Sequence, residues 1–114
     1  MPEIPDITDN ENWIIHTTLI ERYGEEMDVQ IADAEIRLQP SDREVSSCPV
    51  WVWQWEGCTF VIFKTGEHRY RCQFFYKSYH QFNTGVREYK DLTECAVSLL
   101  QVQADHEAKE QGDL

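Results

Sequence analysis

A chain of 114 residues with 41% hydrophobic and 12% aromatic content can bury one core and is too apolar for intrinsic disorder. Its 27% charged residues suit a water-facing globule, and no apolar run approaches the roughly 18 residues of a bilayer span, so no membrane is expected among its partners. The formal charge of -11 disfavours a polyanionic partner such as nucleic acid.

That charge is uneven. Residues 1–63 carry 13 acids against 3 bases, residues 64–90 carry 6 bases (Lys64, Arg69, Arg71, Lys77, Arg87 and Lys90) against 2 acids, and residues 91–114 carry 6 acids against 1 base. A basic middle between acidic flanks is expected. The acidic N-terminus has neither the basic start nor the small-residue cleavage site of a secretory signal, which makes a cytoplasmic location the default expectation. One domain over 1–114 is expected, with 1–8 and 110–114 as flexible tails.

Thr8-Asp9-Asn10-Glu11 has the form of a capping box and Gly24 follows Tyr23, which predicts a helix over 9–23 against the β-branched content of Ile14, Ile15, Thr17, Thr18 and Ile20. From Met27 to Leu38 the apolar alternation slips by one residue, predicting an edge strand with a bulge near Ala32-Asp33. Residues 40–47 read as a loop. PVWVWQW, CTFVIFKT and HRYRCQFFYK, separated by Glu-Gly and Gly-Glu, describe two successive hairpins. Residues 78–90 are irregular, with a turn at Asn83-Thr84-Gly85. Asp91-Leu92-Thr93-Glu94 opens a second capping box, after which Leu92, Cys95, Ala96, Leu99, Leu100 and Gln103 trace one helical face to about Lys109.

The expected fold class is α+β: a four-stranded antiparallel sheet, a meander of two hairpins plus an edge strand, packed with an N-terminal and a C-terminal helix. The order resembles double-stranded-RNA-binding and RNA-recognition folds in outline, and that likeness implies nothing firmer than the layer arrangement.

Trp51, Trp53 and Trp55 alternate, so pleating sends all three indoles to one face. With Glu56-Gly57 and Gly66-Glu67 as turns, Trp53 pairs with Phe60, Lys64 with Arg69 and Ile62 with Arg71. One face then carries Trp51, Trp53, Trp55, Phe60, Ile62 and Phe75 beside Lys64, Arg69, Arg71 and Lys77. The other, holding Val50, Val52, Val61, Phe63, Tyr70, Cys72, Phe74 and Tyr76, reads as the core. Three indoles represent roughly 11 to 19 kcal/mol of apolar burial as an upper bound, so something must cover them. Either a helix roofs them, or both helices take the valine face and leave a tryptophan-arginine platform. Two cations opposite each other at Lys64 and Arg69 favour the platform.

The expected function is therefore a small, acidic, non-catalytic protein-binding module, of regulator, inhibitor or immunity type. It docks through Trp51, Trp53, Trp55, Phe60, Phe75, Lys64, Arg69, Arg71 and Lys77 onto a protein partner, basic by complementarity to the acidic flanks, or onto a second copy. A nucleic-acid platform and a small enzyme are the alternatives. No spacing assembles His16, His68, His80, His106 and the cysteines into a catalytic or metal site, and no cofactor or metal is expected. Cys48, Cys58, Cys72 and Cys95 lie 10, 14 and 23 positions apart without a CxxC pair and are expected to stay reduced and buried.

Overall fold

The computed structural model describes residues 4–77 and 80–110; the expected tail residues 1–3 and 111–114, and Ser78 and Tyr79, lie outside the described residues. The class is α+β. Helix α1 (Asp9–Tyr23) precedes strands β1 (Gln30–Ile36), β2 (Ser46–Trp55), β3 (Cys58–Gly66), β4 (Arg69–Lys77) and β5 (His80–Phe82), and helix α2 (Leu92–Glu110) closes the order. The sheet is an antiparallel meander of five strands in sequence order, not four. The added strand, three residues in the segment read as irregular, is too short to show an alternation.

Both helix starts follow their sequence signals. Thr8 Oγ1 accepts from the Glu11 N–H at 3.1 Å while Glu11 Oε1 accepts from the Thr8 N–H at 2.8 Å, completing the capping box. Gly24, at φ 76°, ends α1. At α2, Asp91 Oδ2 accepts from the Glu94 N–H at 2.9 Å, and the six residues predicted for its inner face are the buried ones. Strand β1 lies at the sheet edge but pairs with β2 without interruption from Gln30 to Ile36. The expected bulge is absent there.

The bulge occurs instead in β3. The first hairpin has the register expected, Trp55 to Cys58, Trp53 to Phe60 and Trp51 to Ile62, around a turn whose two residues, Glu56 and Gly57, both have positive φ, as a twisted two-residue hairpin requires. In the second, the turn falls one residue later, at Glu67-His68, with His68 at φ 55°. A register shift between Lys64 and Gly66 absorbs Thr65. Lys64 is consequently opposite Tyr70, Ile62 opposite Cys72 and Phe60 opposite Phe74. A one-residue slip moves every side chain of β4 to the other face. Tyr70, Cys72, Phe74 and Tyr76 join the tryptophans; Arg69, Arg71, Gln73, Phe75 and Lys77 leave them.

Which face the helices choose follows from that exchange. The tryptophan face of β2, β3 and β4 now offers an almost continuous aromatic surface, and both helices lie on it. Ile15 and Leu19 of α1 and Leu92, Cys95, Ala96, Leu99 and Leu100 of α2 share one buried cluster with Trp51, Trp53, Phe60, Ile62, Tyr70, Cys72 and Phe74. The opposite face carries neither helix. It holds a smaller cluster of Cys48, Val50 and Val61, with Ile4, Ala34, Ile36, Val52, Phe63 and Phe75 half-buried around it. No helix of the described residues is long and apolar enough to cross a membrane.

Candidate functional site

The residues expected to form one platform are distributed over three environments. Trp51, Trp53 and Phe60 have 0, 1 and 0% exposure beneath the helices, with the Trp53 and Phe60 rings stacked at 5.2 Å. Trp51 Nε1 donates to Asn12 Oδ1 of α1 at 3.4 Å. Trp55 is half-buried, its ring 4.4 Å from that of Tyr23 at the end of α1. The tryptophan row is thus roofed by the protein's own helices and is not an open platform.

Lys64 occupies the second environment. It is 3% exposed, and its ammonium donates to Glu11 Oε1 and to the Asp6 carbonyl, both at 2.7 Å. Tyr70 Oη donates to the other oxygen of the same carboxylate. Burial pushes the Glu11 carboxyl up, but the hydrogen bonds from Lys64, Tyr70 and the Thr8 N–H, with the Lys64 charge, outweigh it and hold the group below its ordinary value. Tyr70 is raised by burial and by the carboxylate it faces. The like-charge pair inferred between Lys64 and Arg69 does not form, because the bulge inserts a residue between them. A charged lysine is tolerable under a helix when its partner is delivered by that helix, and Glu11 does this while also capping α1. The sequence signal was present in the capping box; its second use was not legible.

The third environment is the helix-free sheet face, where Arg69, Arg71, Phe75 and Lys77 lie. Arg69 and Lys77 are exposed; Arg71 and Phe75 are half-buried among Val52, Phe63 and Gln73. Glu88, in the segment leading to α2, gathers the arginines: its carboxylate is 3.4 Å from Arg71 Nε and 3.8 Å from Arg69 Nη1, and it accepts from Thr65 Oγ1 at 3.0 Å. Arg71 and Arg87 converge on one acceptor, the Leu38 carbonyl, at 2.8 and 3.1 Å, and Arg87 also donates to Gln39 Oε1 at 3.0 Å. These bonds draw the 37–39 loop and the 83–88 segment up as two walls around the end of the sheet. The sequence marks Arg87 only by its charge. What places it here is the long return of the chain before α2, which no local pattern encodes.

All four cysteines are buried and free. Burial lifts the Cys48 and Cys58 thiols to about 11, so both are protonated at neutral pH. Among the described residues no group of three or more His, Cys, Asp or Glu is placed to hold a metal ion. His106 is engaged in an aromatic cluster, its ring 4.4 Å from Phe82, 5.5 Å from Tyr76 and 5.7 Å from Phe74. Comparison with protein-family models, with curated proteins and with solved structures gave no match.

Proposed function

We propose that the protein is a small non-catalytic protein-binding module whose docking surface is the helix-free face of the sheet. One observation carries this reading: the basic side chains of β4 and the apolar side chains of Val52, Phe63 and Phe75 lie together on the face that no helix covers, in a chain whose remaining surface is strongly acidic. Arginine and aromatic side chains are the types enriched where binding energy concentrates. Surface complementarity then favours a partner segment that is short, partly apolar and acidic. The basic partner expected from net charge matches the acidic flanks and not this face. A long polyanion is disfavoured, since the net charge of -11 repels it at distance.

A photo-crosslinking amino acid placed at Phe75, and in a second protein at Val97 on the exposed outer side of α2, tests the reading in cells. A discrete protein adduct from position 75, lost when Arg69→Glu and Lys77→Glu are added, is the expected result. An adduct from position 97 with none from 75 would refute it.

A further inference from the structure

Beneath the two arginine-tied walls, the helix-free face sinks into a cavity of about 410 Å³, lined by Ile36, Phe63, Arg71, Gln73, Val86 and Arg87. Its size falls within the range of about 300 to 1,000 Å³ typical of small-molecule sites, and its lining sets Ile36, Phe63 and Val86 against the polar Arg71, Gln73, Asn83 and Arg87. A second cavity of about 290 Å³ adjoins it on the far side of Arg71 and Arg87 and brings in Arg69 and Glu88. The two shared guanidiniums therefore stand between the cavities and border both.

Their placement is electrostatically unusual. Arg71 and Arg87 donate to the same Leu38 oxygen, which holds two like charges close together. Glu88 is the one carboxylate paired with this group among the described residues, and it is already shared between Arg69 and Arg71. Arg69 has 65% of its side chain in solvent and Arg87 is likewise exposed, whereas Arg71 has 21%. Arg87 has no carboxylate partner among the described residues. Tying down one loop carbonyl uses one donor of the five on each guanidinium, and Arg71 Nη1 and Arg87 Nη1 and Nε make no hydrogen bond among the described residues. Three guanidiniums against one carboxylate leave the group with excess positive charge, and the idle planar donors of Arg71 and Arg87 stand beside the apolar side chains of Ile36, Phe63 and Val86.

From this we infer that the cavity is a binding site for a small anion of the carboxylate class carrying an apolar stem. The carboxylate is held by Arg71 and Arg87 in the planar, two-pronged geometry that guanidinium donors favour, and the stem lies against Phe63, Ile36 and Val86. The inference goes beyond the docking reading and stands without it: the site can fill in the free protein whether or not a protein partner covers the face.

The test uses the 114-residue chain labelled with nitrogen-15 and three probes at millimolar concentration: N-acetyl-phenylalanine, its uncharged amide, and inorganic phosphate. The expected result is that the free acid shifts the backbone amides of Phe63, Gln73 and Val86, that the amide does not, and that phosphate does so less. Arg87→Gln, its fold checked by the unshifted amides away from the 37–39 and 83–88 segments, should weaken the acid about tenfold, the loss of a charge-assisted contact. Val86→Asp, which sets a carboxylate at the cavity, should abolish binding. Equal binding of the amide, stronger binding of phosphate, shifts confined to other residues, an affinity unchanged in Arg87→Gln, or no shift with any probe would each overturn the assignment.

Discussion

The two faces of this sheet both carry aromatic and aliphatic side chains and treat them differently. On the helix-covered side Trp51, Trp53, Phe60 and Phe74 are all within 1% of full burial; on the other, Val52, Phe63 and Phe75 stay partly exposed beside Arg69, Arg71 and Lys77. The cause is one inserted residue at Thr65, which exchanges the faces of β4 and so decides where the larger apolar area lies. Hydrophobic burial scales with area, and the helices pack where area is greatest.

The contrast is sharpest for Trp53 against Phe75. Trp53→Ala removes a fully buried indole and should cost about 3 to 5 kcal/mol, enough to unfold a marginal domain. Phe75→Ala, at a half-buried position on the helix-free face, should cost about 1 kcal/mol. Urea unfolding of the two variants checks the order, and reversed sizes would place the core on the wrong side.

Two cations extend the comparison. Lys64→Met leaves the Glu11 carboxylate buried without its counter-charge and should cost about 3 kcal/mol, toward the lower end for a broken buried pair because the Thr8 N–H and the Tyr70 hydroxyl still serve it. Arg69→Gln, exposed and paired at 3.8 Å, should change stability by less than about 0.5 kcal/mol. The sign with pH is fixed. Because folding lowers the Glu11 pKa, its contribution is fully present above its ordinary value of 4.5 and is lost as pH falls through the lowered one. In Lys64→Met the main opponent of burial is gone, so acid unfolding should begin at higher pH than in the wild type.

Much of the covered face was legible in the sequence. The α1 capping box, the Asp91 cap of α2, the inner stripe of α2 and the whole β2–β3 register follow from local spacing, since a helix start and a two-residue turn are determined by residues within four positions of each other. The β3–β4 register was not. Gly66-Glu67 is an acceptable turn on paper, and choosing Glu67-His68 depends on sending Tyr70, Cys72, Phe74 and Tyr76 under helices that arrive from both ends of the chain. That is a tertiary preference overriding a local one. The helix-free site was half legible: the spacing singles out Arg69, Arg71, Phe75 and Lys77 but places them with the tryptophans, and Arg87 joins them only through the returning segment.

Smaller effects probe the covered face from within. Cys48, Cys58, Cys72 and Cys95 should resist a thiol reagent at pH 8 in the native protein and react together on unfolding, as burial and the raised Cys48 and Cys58 thiols require. Tyr23 Oη and Trp53 Nε1 are buried without a hydrogen bond of ordinary geometry, although the indole N–H lies near enough to oppose weakly the rise that burial imposes on the phenol. Tyr23→Phe should accordingly be neutral or stabilising by up to about 1 kcal/mol, read as a shift in the unfolding midpoint.

The central claim is that the alternating tryptophans lie under the helices while the β4 arginines face away from them. With Trp13, 64% exposed, and the half-buried Trp55 both replaced by phenylalanine, fluorescence reports on Trp51 and Trp53 alone. Blue-shifted emission that iodide does not quench until the protein is unfolded is the result expected. Red-shifted emission quenched in the native state would contradict it, and with it the assignment of the helix-free face.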